Sequence, residues 1–92
     1  MAAKERLQRF FGERREVLMA VSLGPNDYAY CVSRIVEQGQ PTKFFATRVH
    51  ESVIAERSSA SGHWDDKQFS DLETAAITAD RWYRRAVRES FD

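Results

Sequence analysis

The sequence predicts an α+β domain, a three- or four-stranded antiparallel sheet with an N-terminal and a C-terminal helix, forming one compact unit over residues 1–92. Three observations predict it. The hydrophobic period is helical in Ala3–Phe11, changes to two from Glu16, and becomes helical again after Ser70. Gly, Pro, Asn and Ser cluster between the alternating segments, where turns belong. A chain of 92 residues with 42% hydrophobic and 30% charged side chains supports one core and has no room for a second.

Ala3–Phe11 is rich in helix formers, sets Leu7, Phe10 and Phe11 on one side, and ends at Gly12, a natural C-terminal stop. From Glu16, Val17, Met19, Val21 and Leu23 alternate with Leu18, Ala20 and Ser22 as a first strand, and residues 24–27, Gly-Pro-Asn-Asp, supply a turn. In a second strand, residues 28–37, Tyr28, Tyr30, Val32 and Val36 share one face and Ala29, Cys31, Ser33 and Ile35 the other, with Arg34 interrupting the first. Gln38–Pro41 turns the chain into a third strand, residues 42–51, in which Phe45, Thr47 and Val49 are in phase. The adjacent Phe44 and Phe45 imply that both sheet faces are covered there. Residues 52–57 either extend this strand or begin a fourth, and residues 58–68, opening with Ser-Ser-Ala-Ser-Gly, read as a loop.

Ser70-Asp71-Leu72-Glu73 reads as a capping box that starts the last helix. At 100° per residue, Leu72, Ala75, Ala76, Ala79, Tyr83, Ala86 and Val87 fall into one stripe whose small alanines permit close approach to a sheet. Trp82 lies at the edge of that stripe, either half-buried against the sheet or, with Ile77, an exposed anchor. Both helices are free to cover the same face of the sheet. There is no internal repeat.

Arg81, Arg84, Arg85 and Arg88 project within about 100° of arc opposite the alanine stripe. Asp80 and Glu89 can each partner one of them at i,i+4, so the ridge stays positive. Such a ridge is either a solvated face whose cations complement the helix dipole or a set of guanidinium forks suited to phosphate and carboxylate. Lys4, Arg6, Arg9, Arg14 and Arg15 form a second basic cluster open to the same two readings; net charge is zero because acidic residues elsewhere balance both.

Nothing in the chain has the spacing of a catalytic or metal centre. His50 and His63 are the only histidines, and a Cys31/His50 dyad would need a thiol from an apolar strand. His63-Trp64-Asp65-Asp66 offers one imidazole and two carboxylates in a serine-rich loop, a setting more often solvated than metal-bound. The expectation is therefore no enzyme, no metal, no cofactor and no small-molecule substrate. The lone Cys31 precludes an intramolecular disulfide, the first residues lack a signal-peptide core, and the longest apolar run, Val17–Val21, is five residues where a membrane span needs about 20. A reducing, cytoplasmic setting is expected, with no membrane partner.

Helix, three strands and helix also resembles the double-stranded RNA-binding domain, but carboxylates stand in Ser70–Glu73 where that family has its phosphate clamp. Lys67-Gln68-Phe69-Ser70-Asp71-Leu72-Glu73-Thr74-Ala75-Ala76 is similar to the strand-to-helix junction of phage integrase arm-binding domains. As a whole, a short, cysteine-poor single domain with no catalytic constellation resembles the small phage-encoded anti-CRISPR proteins, particularly inhibitors of the type I-F (Csy) RNA-guided surveillance complex. That resemblance implies binding to Cas protein subunits in an infected bacterial cell, with target DNA kept out. Arg81–Arg88 would reach the phosphates of the guide crRNA, and Asp65, Asp66, Asp71 and Glu73 would meet lysines that normally hold DNA. The alternatives are a phage DNA-binding module of a recombinase or regulator and a small homodimeric phage accessory protein.

Overall fold

The computed structural model describes residues 3–21, 27–56 and 64–90. The elements follow as α1 (Ala3–Phe11), β1 (Glu16–Val21), β2 (Tyr28–Ile35), β3 (Lys43–His50), α2 (Glu51–Glu56), β4 (Trp64–Phe69) and α3 (Leu72–Ser90). The four strands form one antiparallel sheet in the order β1-β2-β3-β4, so the predicted α+β class and antiparallel sheet stand. No helix among the described residues is long and apolar enough to cross a membrane. The 24–26 part of the first expected turn and the Ser58–Gly62 segment lie outside the described residues.

The fourth strand is not where the hydrophobic pattern pointed. Residues 51–56 form a short helix, with Val53 fully buried and the Ser52 amide donating to His50 Nδ1 at 3.1 Å. The edge strand is instead Trp64–Phe69, the second half of the expected loop. Its polar sequence is held by pairing: Thr47↔Asp66, Arg48↔Asp65 and Phe44↔Phe69 set its register on β3.

The helices also do not share a face. Strand alternation directs Ala29, Cys31 and Val49 to one side, where they pack with Val17, Leu7 of α1 and Val53 of α2. Val32 and Ala46 point the other way and pack against Ala75 and Ala79 of α3. The sheet is thus a middle layer, and the near-continuous burial of β2 follows from cover on both sides. Phe44 and Phe45 divide between the two faces as their adjacency predicts.

In β1 the predicted alternation breaks at a bulge. Val17 pairs with Ser33 and Met19 with Val32, which puts Val17 in the α1-side core and Met19, half exposed, on the other face. The extra residue, Leu18, moves the phase by one. At the start of α3, Asp71 and not Ser70 is the capping residue: its Oδ2 accepts from the Thr74 amide at 2.8 Å and its carboxylate also accepts from the Thr74 hydroxyl. Leu72, expected in the buried stripe, is exposed, while Ala75, Ala79 and Ala86 are buried as expected.

Two outcomes follow. Ala79→Asp places an unpaired carboxylate between α3 and the sheet and should remove about 3–5 kcal/mol, enough to unfold much of a domain this small, as read by circular dichroism and urea titration. The hydrogen bonds from Thr74 hold the Asp71 carboxyl below its ordinary value of 3.8. With a lowered folded-state pKa, its contribution is present above the ordinary value and lost as pH falls through the folded one. Asp71→Asn should therefore flatten the acid limb of a thermal-stability curve below about pH 4.

Candidate functional site

Of the two basic clusters, the N-terminal one is largely consumed by structure. Arg6 pairs with Glu51 of α2, and Arg14 with Glu37 at 3.5 Å. Arg15 is buried more deeply: its guanidinium lies 4.0 Å from the Phe45 ring centroid and 4.7 Å from that of Phe11, and it forks onto both oxygens of Asp66 at 3.0 and 3.1 Å. Thr47 Oγ1 donates to the same carboxylate at 2.6 Å. Gln8 shapes the turn that delivers Arg15, its amide nitrogen donating to the Gly12 and Arg15 carbonyls and its oxygen accepting from the Val17 amide. Gly12, at φ 80°, takes the left-handed conformation that closes α1. Lys4 and Arg9 remain exposed with no ion-pair partner among the described residues.

The α3 ridge is different. Arg81, Arg84, Arg85 and Arg88 are all exposed and join Lys67 and Phe69 of β4, with Thr78 and Trp82 of α3, in lining an open groove of about 690 Å³ between the helix and the edge strand. Asp80 accepts from Arg84 at 2.7 Å and Glu89 from Arg85 at 3.1 Å, with the two arginine side chains still 75% and 76% exposed. Among the described residues, the five cations of the groove meet two carboxylates. Arg81, Arg88 and Lys67 have no carboxylate partner among the described residues.

Trp82 forms part of the groove floor. It packs beside Val32, Ala46 and Ala79, with the Arg48 guanidinium 5.4 Å and the Lys67 ammonium 6.0 Å from its ring centroid. It is thus the half-buried tryptophan of the two readings, although its neighbour in the sequence pattern, Ile77, is exposed. Because α1 and α3 cover opposite faces, the structure does not bring Lys4, Arg6 and Arg9 to the ridge of Arg81, Arg84, Arg85 and Arg88. Lys67 and Arg48 are the residues that sequence reasoning missed; strand alternation places both on the α3 face, but only once β4 is recognised as a strand.

The other candidates dissolve on inspection of their partners. Cys31 is buried on the α1 side, where desolvation pushes its thiol up to about 12, so it stays protonated at neutral pH. His50, opposite Tyr28, points to the other face, and the sheet separates the two residues of the supposed dyad. His63 lies outside the described residues. Asp65 pairs with Arg48 at 2.6 Å with half of its side chain still exposed, Asp66 pairs with Arg15 on the opposite face of β4, and Asp71 caps α3. Among the described residues no three His, Cys, Asp or Glu side chains converge to hold a metal ion.

No protein-family model, no curated protein and no solved structure matches the chain. The groove therefore has to be read from its own chemistry. It supplies an exposed row of fixed positive charge, with aromatic rings already committed to the core. The outer edge of β4 carries Asp65, Asp66 and Lys67, charges that discourage edge-to-edge pairing of two copies.

Arg15 and Asp66 are 15% and 21% exposed, so removing either strands a poorly solvated charge. Asp66→Ala should cost roughly 2–4 kcal/mol in urea titration, with amide exchange accelerated first in 64–69. An unchanged midpoint would show the pair to be ornamental.

Proposed function

We propose that this chain is a non-catalytic binding domain that grips an anionic partner through the α3–β4 groove and acts as an inhibitor of an RNA-guided surveillance complex. The observation that carries the binding role is the groove's charge, with Lys67, Arg81, Arg84, Arg85 and Arg88 in one open concave surface and, among the described residues, only Asp80 and Glu89 paired against them. A ridge that merely faced water would not need a cationic wall opposite it, and here β4 supplies one in Lys67. Arginine forks match the oxygens of phosphate and carboxylate groups.

The choice of partner is supported by the chain's likeness in size, composition and lack of a catalytic constellation to anti-CRISPR inhibitors. An RNA-guided complex reads sequence by base pairing, so a small protein blocks it by obstructing the guide or the channel that holds the heteroduplex. In this reading Arg81–Arg88 engage guide crRNA phosphates or an acidic Cas surface in the cytoplasm of the infected cell. Of the acidic residues expected to act, Asp66 is engaged within the fold, while Asp65, Asp71 and Glu73 stay at the surface.

A second reading, a phage DNA-binding module, is favoured by the same groove, since duplex phosphates would satisfy the same cations directly. Affinity capture from a bacterial lysate containing an assembled surveillance complex separates the two. The inhibitor reading predicts recovery of Cas subunits together with crRNA, reduced at least tenfold by Arg84→Glu with Arg85→Glu in a variant whose circular dichroism is unchanged. Recovery of DNA alone, lost at high salt, would replace the inhibitor with the DNA-binding module. Equal recovery by the double variant would return the ridge to a solvated face.

A further inference from the structure

Resting on the binding role proposed above, the geometry points to the phosphodiester backbone of a nucleic acid as the groove's ligand, gripped without regard to base, with Asp80 and Glu89 as built-in competitors that hold two of the arginines in reserve. The surveillance complex is not required for this.

The groove has charge without an apolar anchor. A protein partner binds tightly through a desolvated centre, usually an aromatic or aliphatic side chain seated in a pocket. Here Phe69 and Trp82, the two rings of the groove, already pack against the sheet core. Phosphates ask only for cations, and four of the five on offer are arginines. The same rings explain indifference to base. Single-stranded binding proteins that stack bases present an open aromatic face, whereas Trp82 has Arg48 and Lys67 lying over its ring.

Arg81 and Arg88 stand two turns apart on α3, about 10 Å along its axis, with Lys67 on the facing wall. These three are free of carboxylates among the described residues. Arg84 and Arg85 differ, since each is held by an i,i+4 acid on its own helix. The pairs are exposed and weak, so a phosphate can displace them, but the carboxylate then remains beside the phosphate it was displaced by. The effective number of cations is therefore nearer three than five. Neutralising Asp80 and Glu89 should release the other two.

The test is fluorescence anisotropy with a fluorescein-labelled RNA of about 20 nucleotides and a DNA duplex of about 20 base pairs, each in two unrelated sequences, titrated at several salt concentrations. Wild type should bind both sequences of a given probe equally, with log K against log salt sloping at about −2 to −3. Asp80→Asn with Glu89→Gln should steepen that slope by about 1.4 to 1.8, two further phosphates at 0.7 to 0.9 each. Arg81→Glu with Arg88→Glu, both exposed, should weaken binding at least tenfold with an unchanged circular dichroism spectrum. Absence of binding to either probe at about 50 mM salt, or equal binding by Arg81→Glu/Arg88→Glu, would overturn the inference. If the groove variants lose capture of the surveillance complex while neither probe binds wild type, the ligand is an acidic protein surface, and the binding role survives without its nucleic acid. A slope unchanged by Asp80→Asn/Glu89→Gln would overturn the competitor role.

Discussion

The guanidinium of Arg15 is the interaction on which the rest depends. It leaves the turn after α1, passes between the Phe11 and Phe45 rings, and ends on Asp66 of the outermost strand. Trp64 and Phe69 anchor the two ends of that strand in the cores on either side of the sheet, but the four residues between them are polar. Trp64–Phe69 is mostly charged and exposed and lies at the sheet edge, with only β3 beside it. Without Arg15 and the Thr47 hydroxyl, Asp66 would be an acidic side chain facing an aromatic core. With them it becomes the anchor of the strand. Because neighbouring residues in a strand point opposite ways, a pin on Asp66 from the α1 side fixes Lys67 on the α3 side. The groove wall is thus held from behind.

The same layering sorts the charges. With α1 and α2 on one face and α3 on the other, Arg6, Arg14 and Arg15 of the N-terminal segment meet Glu51, Glu37 and Asp66, while Arg9 stays exposed. Among the described residues, the arginines of α3 meet only the acids of their own helix and stay largely exposed. A chain of zero net charge thereby acquires one positive surface, through the placement of its acids and not through their number.

Much of the fold was legible because period and turn chemistry agree. The first helix, the central strand pair and the alanine stripe of the last helix each carry a hydrophobic pattern that only one structure satisfies. β4 was illegible for the opposite reason. Trp-Asp-Asp-Lys-Gln-Phe has the composition of a loop, and its stability comes from partners 17 to 51 residues away in sequence, Arg48, Thr47 and Arg15. Residues 51–56 were misread because Val53 and Ile54 are β-branched, so a helix of six residues looks like the continuation of a strand. The alternation in β1 failed at a bulge that no residue type announces. Of the site, the four arginines were visible from helical geometry alone, whereas the groove was not, since its other wall belongs to a strand that the sequence hinted at only through the likeness of Lys67–Ala76 to a strand-to-helix junction.

If the face built on this pinned strand meets the partner, amide hydrogen exchange of the wild-type domain must register it when a saturating RNA strand is added. Exchange should slow in β4 at Lys67–Phe69 and in the second half of α3, around Arg81–Arg88, with α1 unchanged. Protection confined to α1 around Lys4–Arg9, or spread evenly over the domain, would contradict it.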